Sequence, residues 1–274
     1  MRLCRPSLPL LVFVALLSAC ATSPTGRSQL LIVSPEQAIF NSRQAYTEML
    51  KPLAKEGKVD NDKPTLGRVK RITGRIVHQA IQDYPHTKDW AWSVKVVDDP
   101  DQVNAWCMPG GKMAIYTGLL RKVAPTDDEL AQVMGHEVAH ALANHGAEKM
   151  SVAMASQLGV IAIRAAAANT RYADLALQGA PLAAALAVNL PNSRTAEREA
   201  DRMGIELAAK AGYDPRAAKT LWEKMGKAGD KNPVEFLSTH PAPENRSQTL
   251  SQLAPAMMKH YRDKRPRYVY RFKN

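Results

Sequence analysis

One short segment constrains this chain more than any other: His136-Glu137-Val138-Ala139-His140 lies inside a strongly helical stretch. Residues four apart are about 40° apart around an α-helix, so His136 and His140 share a face and can bind one zinc ion together. Glu137 lies beside that face, where its carboxylate can take a proton from an attacking water. The segment therefore predicts a catalytic zinc site, although the same short pattern also occurs by chance in unrelated proteins.

The helix around this segment has a clear beginning. Thr126 can cap its first turn, and Glu129 stands at the matching position of a capping box. Apolar residues surround the histidines, so we expect a buried helix that runs to about Met150. In such a continuous helix His145 would point about 140° away from His140. We therefore predict that His145 is not a metal ligand and lies either behind a ligand or on the surface.

A catalytic site with two histidines needs a third protein ligand and an open position for water. The stretch from residue 195 to 210 has helical spacing and places Glu197 and Asp201 on one face, with Glu199 on the other side. One of the two acids on the shared face can bind the metal, while the other holds the free N–H of a liganding imidazole. Acid-rich helices are more often solvated, so this prediction depends on the upstream histidines.

These segments together resemble metallopeptidase family 48, the gluzincins of the HtpX and CAAX prenyl protease type. Two further elements carry the resemblance, which extends over residues 35–255. Asn104-Ala105 stands ahead of Pro109-Gly110-Gly111, and Ser238-Thr239-His240-Pro241 is followed by Arg246. Within the family, bacterial periplasmic lipoprotein peptidases are the most similar branch. We do not carry over the prenylated substrates of the multi-span members, because we find no such spans in this sequence.

The resemblance implies one Zn²⁺ per chain, bound by His136, His140 and Glu197. It assigns Asp201 to the support of a liganding histidine and makes Glu137 the general base of peptide-bond hydrolysis. The expected fold is α+β and mainly α-helical, a zincin-like fold with a small β-sheet next to the His-Glu-x-x-His helix. The expected substrates are polypeptides, namely misfolded or misassembled proteins of the cell envelope.

The late His-Pro element gives two further candidate catalytic residues, because the resemblance implies that His240 and Arg246 face the site. A protonated imidazole or a guanidinium can neutralise the oxyanion of the tetrahedral intermediate. A neutral imidazole can instead occupy the open zinc position as a reversible plug. The sequence leaves both roles of His240 open, together with a plain turn histidine before proline.

Helical spacing predicts two earlier helices, over residues 35–55 and 66–84, and strands follow at 90–97 and 112–117. The turn at Pro109-Gly110-Gly111 makes a hairpin just ahead of the histidine helix. An edge strand beside a metal site can pair with an extended substrate through main-chain hydrogen bonds. We therefore predict substrate-binding roles for Asn104, Gly110, Gly111 and Met113; the alternative is that the hairpin only completes the sheet.

The first residues resemble a secretory leader. A positively charged start is followed by a short apolar run that ends in Leu17-Ser18-Ala19-Cys20, as in a bacterial lipobox. We predict a lipoprotein signal peptide at 1–19, a lipidated Cys20 with a tether over 20–33, a peptidase domain over 34–260 and a basic tail over 261–274. By resemblance to Gram-negative lipoproteins, the protein would sit on the outer membrane and face the periplasm; an ordinary signal peptide is the alternative.

Composition excludes some other classes of protein. The formal net charge of +11 comes largely from the two ends of the chain, and no nucleic-acid-binding motif accompanies it. The three cysteines cannot build a cysteine zinc site. The alanine-rich stretch 151–190 predicts one or two packed helices over the site, with a membrane hairpin less favoured, and the oligomeric state is not indicated. The competing function is a lipid-anchored periplasmic chaperone or assembly factor with a latent or structural zinc site, against which the intact Glu137 argues.

Overall fold

A computed structural model describes residues 20–166, 192–229, 235–241 and 245–273. The helices are α1 (Pro35–Lys55), α2 (Lys63–Asp83), α3 (Asp127–Leu142), α4 (His145–Ala166), α5 (Arg194–Lys210), α6 (Ala217–Gly229), α7 (Glu235–Thr239) and α8 (Arg246–Tyr261). The strands are β1 (Cys20–Thr22), β2 (Ser28–Leu30), β3 (Ser93–Val97), β4 (Ala105–Met108) and β5 (Lys112–Tyr116). The prediction of a mainly α-helical α+β fold is thereby confirmed.

Helix α3 carries the two histidines and is buried along nearly its whole length. It begins with the predicted capping box, in which Thr126 accepts from the Glu129 backbone N–H while the Glu129 carboxylate accepts from the Thr126 N–H. The helix ends earlier than predicted, at Leu142. Asn144 has a φ of 55°, in the left-handed region that terminates helices, and α4 begins directly after it. The predicted single helix to Met150 is therefore wrong, and His145 lies after a break between two helices.

Helices α3 and α5 cross with their backbones in contact, and two glycines allow this. A Cβ atom on Gly135 would lie 2.7 Å from the carbonyl oxygen of Gly204. A Cβ atom on Gly204 would lie 2.8 Å from the Cα of His136. Both distances are too short for a real side chain, so each position needs glycine. This close approach brings the acidic face of α5 against the histidines of α3.

The sheet next to α3 has the strand order β3-β5-β4. Strand β5 is central: it runs parallel to β3 and antiparallel to β4, which leaves β4 at an edge. Met113 lies in this central strand with no exposed surface, inside the main hydrophobic core. The predicted substrate-binding role of Met113 is therefore wrong, because its side chain fills the core between the sheet and the helices.

The segment predicted to be a tether is folded. Strands β1 and β2 pair antiparallel with Cys20 opposite Leu30, and we call residues 20–30 the N-terminal hairpin. Lipidation of Cys20 stays a prediction, and the predicted signal peptide lies outside the described residues. At the other end the predicted basic tail runs along α2, where the Tyr270 N–H donates to the Gly74 carbonyl oxygen at 2.9 Å.

Only part of the alanine-rich segment is described: α4 continues to Ala166, and residues 167–191 lie outside the described ranges. Across the described helices, none is both long and apolar enough to cross a membrane.

Candidate metal centre

Four buried side chains from three parts of the chain converge at one point: His136, His140, Glu197 and His240. One ligand atom from each lies within 4.8 Å of the others. The Nε2 atoms of His136 and His140 are 3.0 Å apart. The Glu197 carboxylate lies 3.3 Å from His136 Nε2 and 3.2 Å from His140 Nε2. The structure thus brings together the three residues that the sequence proposed as zinc ligands, and adds His240 to them.

This donor set fits a zinc ion. Two imidazole nitrogens and a carboxylate are the ligand types of catalytic zinc, and a site of this kind leaves a further position for water or substrate. Glu197 has no exposed surface, and its Oε2 makes no hydrogen bond. A buried carboxylate oxygen without a hydrogen bond is costly unless a cation compensates it. Two imidazole nitrogens and a buried carboxylate that lie this close together form a site whose donor chemistry fits a metal ion.

The other nitrogen of His136 is held directly by a carboxylate. Its Nδ1 lies 3.0 Å from Asp201 Oδ1, so the Nδ1–H donates to Asp201 and leaves Nε2 free for the metal. Arg246 pairs with the same Asp201 oxygen at 2.6 Å and lies 3.0 Å from Glu197 Oε2. Its guanidinium stacks 3.6 Å from the ring centre of Trp222. Arg246 thus places one positive charge beside two buried carboxylates.

This position differs from the one expected for Arg246. The residues that line the open cleft include Glu137, His140 and His240 but not Arg246. Arg246 is buried beside His136, where it pairs with Asp201 and stacks on Trp222. Because Arg246 does not line the cleft, this placement does not support the predicted role in stabilising an oxyanion, which stays a prediction.

The other nitrogen of His140 is held by a second histidine. His140 Nδ1 lies 2.8 Å from His145 Nδ1, and His145 Nε2 lies 3.1 Å from Glu199 Oε2. The helix break at Asn144 places His145 here. The angle expected from a continuous helix was therefore wrong, although the expectation of a residue behind a ligand agrees with this position. Glu199 was not recognised in the sequence, because it faces away from Glu197 on the same helix.

Asn192 is a second residue that the sequence did not reveal. Its Nδ2 donates to Glu197 Oε1 at 2.7 Å, and its backbone N–H donates to the Thr239 carbonyl oxygen. Asn192 therefore links the carboxylate ligand to the segment that carries His240. Its one visible signal is its place directly before the capped start of α5, where Ser193 accepts from the Ala196 N–H.

Glu137 and His240 face each other across the cleft. Glu137 Oε1 has no hydrogen-bond partner and lies 3.4 Å from His240 Nε2. His240 Nδ1 lies 3.1 Å from the Phe236 carbonyl oxygen, which can only accept, so Nδ1 carries the hydrogen. Nε2 of His240 therefore carries a lone pair and no hydrogen, and it faces the other three side chains of the cluster. The ring also stacks on Phe236, with 4.3 Å between centroids.

Burial and charge set the protonation of these groups. Burial raises the pKa of Glu137 to about 8. Burial and Arg246 oppose protonation of His136, but Glu197 and Asp201 outweigh them and raise its pKa to about 9. Burial lowers the pKa of His140 to about 3. Although burial opposes it, the two histidines hold the pKa of Glu197 far below its usual range.

The remaining predicted substrate-binding residues take different positions. Asn104 lines the cleft together with β4 and Pro109. Gly110 and Gly111 form the turn after β4 with φ values of 80° and 79°, and a Cβ on Gly111 would clash with the Trp92 ring. The two glycines therefore shape the hairpin and do not line the cleft. Cys107, also at the cleft, is a free thiol whose pKa burial raises well above its usual value.

Comparison with known proteins gives a consistent picture. The sequence profile of peptidase family M48 matches residues 65–254. The mitochondrial metalloendopeptidase OMA1 of Bos taurus is 36% identical over 243 residues, which cover 86% of this chain and 46% of that protein. The OMA1 metalloendopeptidase of Arabidopsis thaliana is 41% identical over 61% of this chain. The β-barrel assembly-enhancing protease of Escherichia coli is 31% identical over 53% of it. The chain spans less than half the length of these relatives.

One prediction is overturned by these relatives. We expected a lipoprotein on the outer membrane of a Gram-negative bacterium. The relatives that match the largest share of the chain are instead eukaryotic proteins whose names place them in mitochondria. The predicted location is therefore corrected: resemblance of a short N-terminal stretch to a lipobox is weaker evidence than similarity along most of the chain.

Proposed function

This chain belongs to peptidase family M48, and from that premise we propose that it is a zinc metalloendopeptidase with Glu137 as its general base. Membership confirms the resemblance seen in the sequence, and with it zinc as the metal. The observation that carries the proposal is the convergence of His136, His140 and Glu197 beside a buried, unpartnered Glu137 oxygen at the cleft.

A zinc ion in this position would polarise the scissile carbonyl and lower the pKa of a water molecule. Glu137 accepts the proton of the attacking water at Oε1, the oxygen that makes no hydrogen bond within the protein. It then donates that proton to the nitrogen of the leaving amine. Burial raises the pKa of Glu137 to about 8 in the absence of metal, and the charge of a zinc ion beside it would oppose that shift and favour the carboxylate that accepts the proton.

The cleft geometry supports extended polypeptides as substrates. Strand β4 is the edge of its sheet and lines the cleft with Ala105, Trp106 and Cys107. A substrate main chain can pair with such an edge and carry its scissile carbonyl to the metal. Folded proteins rarely offer a free extended segment, so we propose misfolded or misassembled polypeptides as the substrate class.

We propose that His240 occupies the fourth ligand position at rest. The lone pair on Nε2 faces the cluster, and the Phe236 carbonyl fixes the ring through Nδ1. Replacing His240 by alanine would open that position and raise the rate of peptide hydrolysis. A fall in rate in that variant would assign His240 to the oxyanion of the intermediate instead.

The central test compares wild type with Glu137→Gln on an unfolded protein such as casein. Glutamine keeps the size and polarity of the side chain but cannot accept the proton, so we expect the rate to fall about 10²–10⁴-fold with zinc content unchanged. Glu223→Gln is the matched control, because Glu223 is a half-exposed carboxylate on α6. Equal cleavage by wild type and Glu137→Gln would refute the mechanism. Bound zinc with no cleavage, even in His240→Ala, would favour a chaperone with a structural zinc site.

A further inference from the structure

The support of His140 extends much further from the metal centre than that of His136. Glu199, which holds His145, is itself held by the N-terminal hairpin. The Thr25 hydroxyl donates to Glu199 Oε1 at 2.6 Å, and Arg27 Nε donates to Glu199 Oε2 at 2.8 Å. His145 and Glu199 are both buried, at 1% and 6% exposure. The hydrogen bonds therefore form one continuous series from the partly buried Arg27, through the buried Glu199 and His145, to His140.

The donors and acceptors along this series of hydrogen bonds determine which nitrogen carries each hydrogen. If His140 binds the metal through Nε2, its Nδ1 carries a hydrogen and donates to His145 Nδ1. His145 must then carry its hydrogen on Nε2, and this hydrogen is donated to Glu199 Oε2. Each link accepts on one side and donates on the other. Glu199 ends the chain as an ion, because His145, Ser23, Thr25 and Arg27 outweigh burial and hold its pKa far below the usual range.

Arg27 is the cation that balances this buried carboxylate. Its two terminal nitrogens also donate to both carboxylate oxygens of Glu148, at 2.7 and 2.6 Å. Gln29 adds a hydrogen bond from β2 to Glu148 and another to the Ala143 carbonyl oxygen, at the end of the helix that carries the histidines. The N-terminal hairpin is thus joined to both helices that flank the break at Asn144. A solvated tether would make none of these contacts.

We propose that the N-terminal hairpin is a positioning element of the metal centre: Arg27 and Thr25 hold Glu199, Glu199 holds His145, and His145 orients the imidazole of His140. The inference rests on the proposed function, since it takes His140 as a ligand of the metal. It follows that a change more than 100 residues away in sequence alters the metal affinity without touching a ligand. Displacing or cleaving this hairpin would then lower zinc occupancy in the peptidase.

The test uses the full chain and measures three quantities: zinc affinity by competition with a chelator, the visible absorption spectrum of the Co²⁺-substituted protein, and thermal unfolding without metal. Arg27 is three hydrogen bonds away from His140, so for Arg27→Ala we expect zinc affinity to fall about threefold, less than the about 10–100-fold loss for groups that hold a ligand directly, and the Co²⁺ spectrum to change. Arg27→Lys keeps the charge but cannot pair with both Glu148 and Glu199. The zinc affinity of this variant should therefore lie between those of wild type and Arg27→Ala.

Arg68→Ala is the matched control. Arg68 donates to Asp127 at 2.7 Å and to the Pro125 carbonyl oxygen at 2.7 Å, so it also ties a neighbouring element to α3, at the end remote from His140. Its loss should lower the unfolding temperature but leave zinc affinity and the Co²⁺ spectrum as in wild type. Should Arg27→Ala fail to fold, Thr25→Val removes a single hydrogen bond to Glu199 and should give a smaller shift of the same sign.

The outcomes separate this inference from the proposed function. If wild type binds zinc and cleaves casein, and Arg27→Ala and Thr25→Val bind zinc as wild type does with the same Co²⁺ spectrum, the positioning role is overturned while the peptidase stands. Equal weakening of zinc binding by Arg27→Ala and Arg68→Ala would also overturn it, because general destabilisation would then explain the effect. A wild-type protein that binds no zinc would overturn both.

Discussion

The two histidines of one helical turn are held differently, one directly by a carboxylate and the other through a second histidine. His136 donates directly to a carboxylate, Asp201, which pairs with a buried arginine. His140 donates to another histidine, His145. The carboxylate on that side, Glu199, contacts His145 and makes no direct contact with His140. The two sides also belong to different parts of the chain: Arg246 begins α8, whereas the support of His140 ends in the N-terminal hairpin.

This difference has an electrostatic consequence. Two carboxylates near His136 raise its pKa to about 9 although burial and Arg246 oppose them, whereas burial lowers the pKa of His140 to about 3. The supporting carboxylate on the His140 side, Glu199, contacts His145 and not His140 itself, so its negative charge lies further from His140. The metal centre thus has one ligand that binds protons tightly and one that is neutral over the physiological range.

The largest effect is expected on the His136 side. Arg246→Ala leaves Asp201 and Glu197 buried without their cation, and loss of one partner of a buried pair costs about 3–5 kcal/mol. We expect the free energy of unfolding without metal to fall by about this amount in urea titrations, and added zinc to restore part of it through its own charge. Arg216→Ala, which removes an exposed arginine from its pair with Asp214, should cost less than about 1 kcal/mol. Equal losses would contradict the assignment of Arg246.

The sequence predicts the support of His136 better than the support of His140. Regular helical spacing was enough to place Asp201 beside Glu197, because both lie on one helix and the interval is one turn. It also gave the helix starts at Ser34 and Thr126, where capping side chains are local signals. The contact of Asp201 with His136 needed only the packing of α5 on α3, which Gly135 and Gly204 permit.

The support of His140 was not predictable in this way. It depends on the left-handed backbone at Asn144, which breaks a pattern that otherwise reads as one helix. It also depends on contacts of Glu199 with residues more than 170 positions earlier, which no local pattern encodes. The position of Met113 was not predictable for a related reason: its role was expected from an edge strand, but which strand of the hairpin lies at the edge depends on β3, which pairs with β5 from an earlier part of the chain.

A smaller effect is expected on the His140 side. His145→Ala removes the acceptor for the His140 Nδ1–H, and we expect zinc affinity to fall about 10–100-fold. His145→Gln should recover part of the loss, since its amide oxygen can accept from His140 while its NH₂ group donates to Glu199. His86→Ala, at an exposed histidine in the turn after α2, is the control in the same chelator competition. Wild-type affinity in His145→Ala would show that the second histidine is not needed to orient the first.

The last effect, about tenfold for each pH unit, is a pH dependence that separates the two histidines. The raised pKa of His136 favours its imidazolium below about pH 9, so zinc must displace a proton there, whereas His140 is already neutral. Zinc affinity should therefore fall about tenfold for each pH unit from 9 to 7. Measurement in Glu137→Gln removes the titration of the carboxyl group whose pKa is about 8. Asp201→Asn withdraws the charge that stabilises the proton on His136 and should flatten the profile, while Glu199→Gln should leave its slope unchanged. If zinc affinity does not change with pH in the protein that keeps Asp201, His136 is neutral, and the two sides of the metal centre do not differ in protonation.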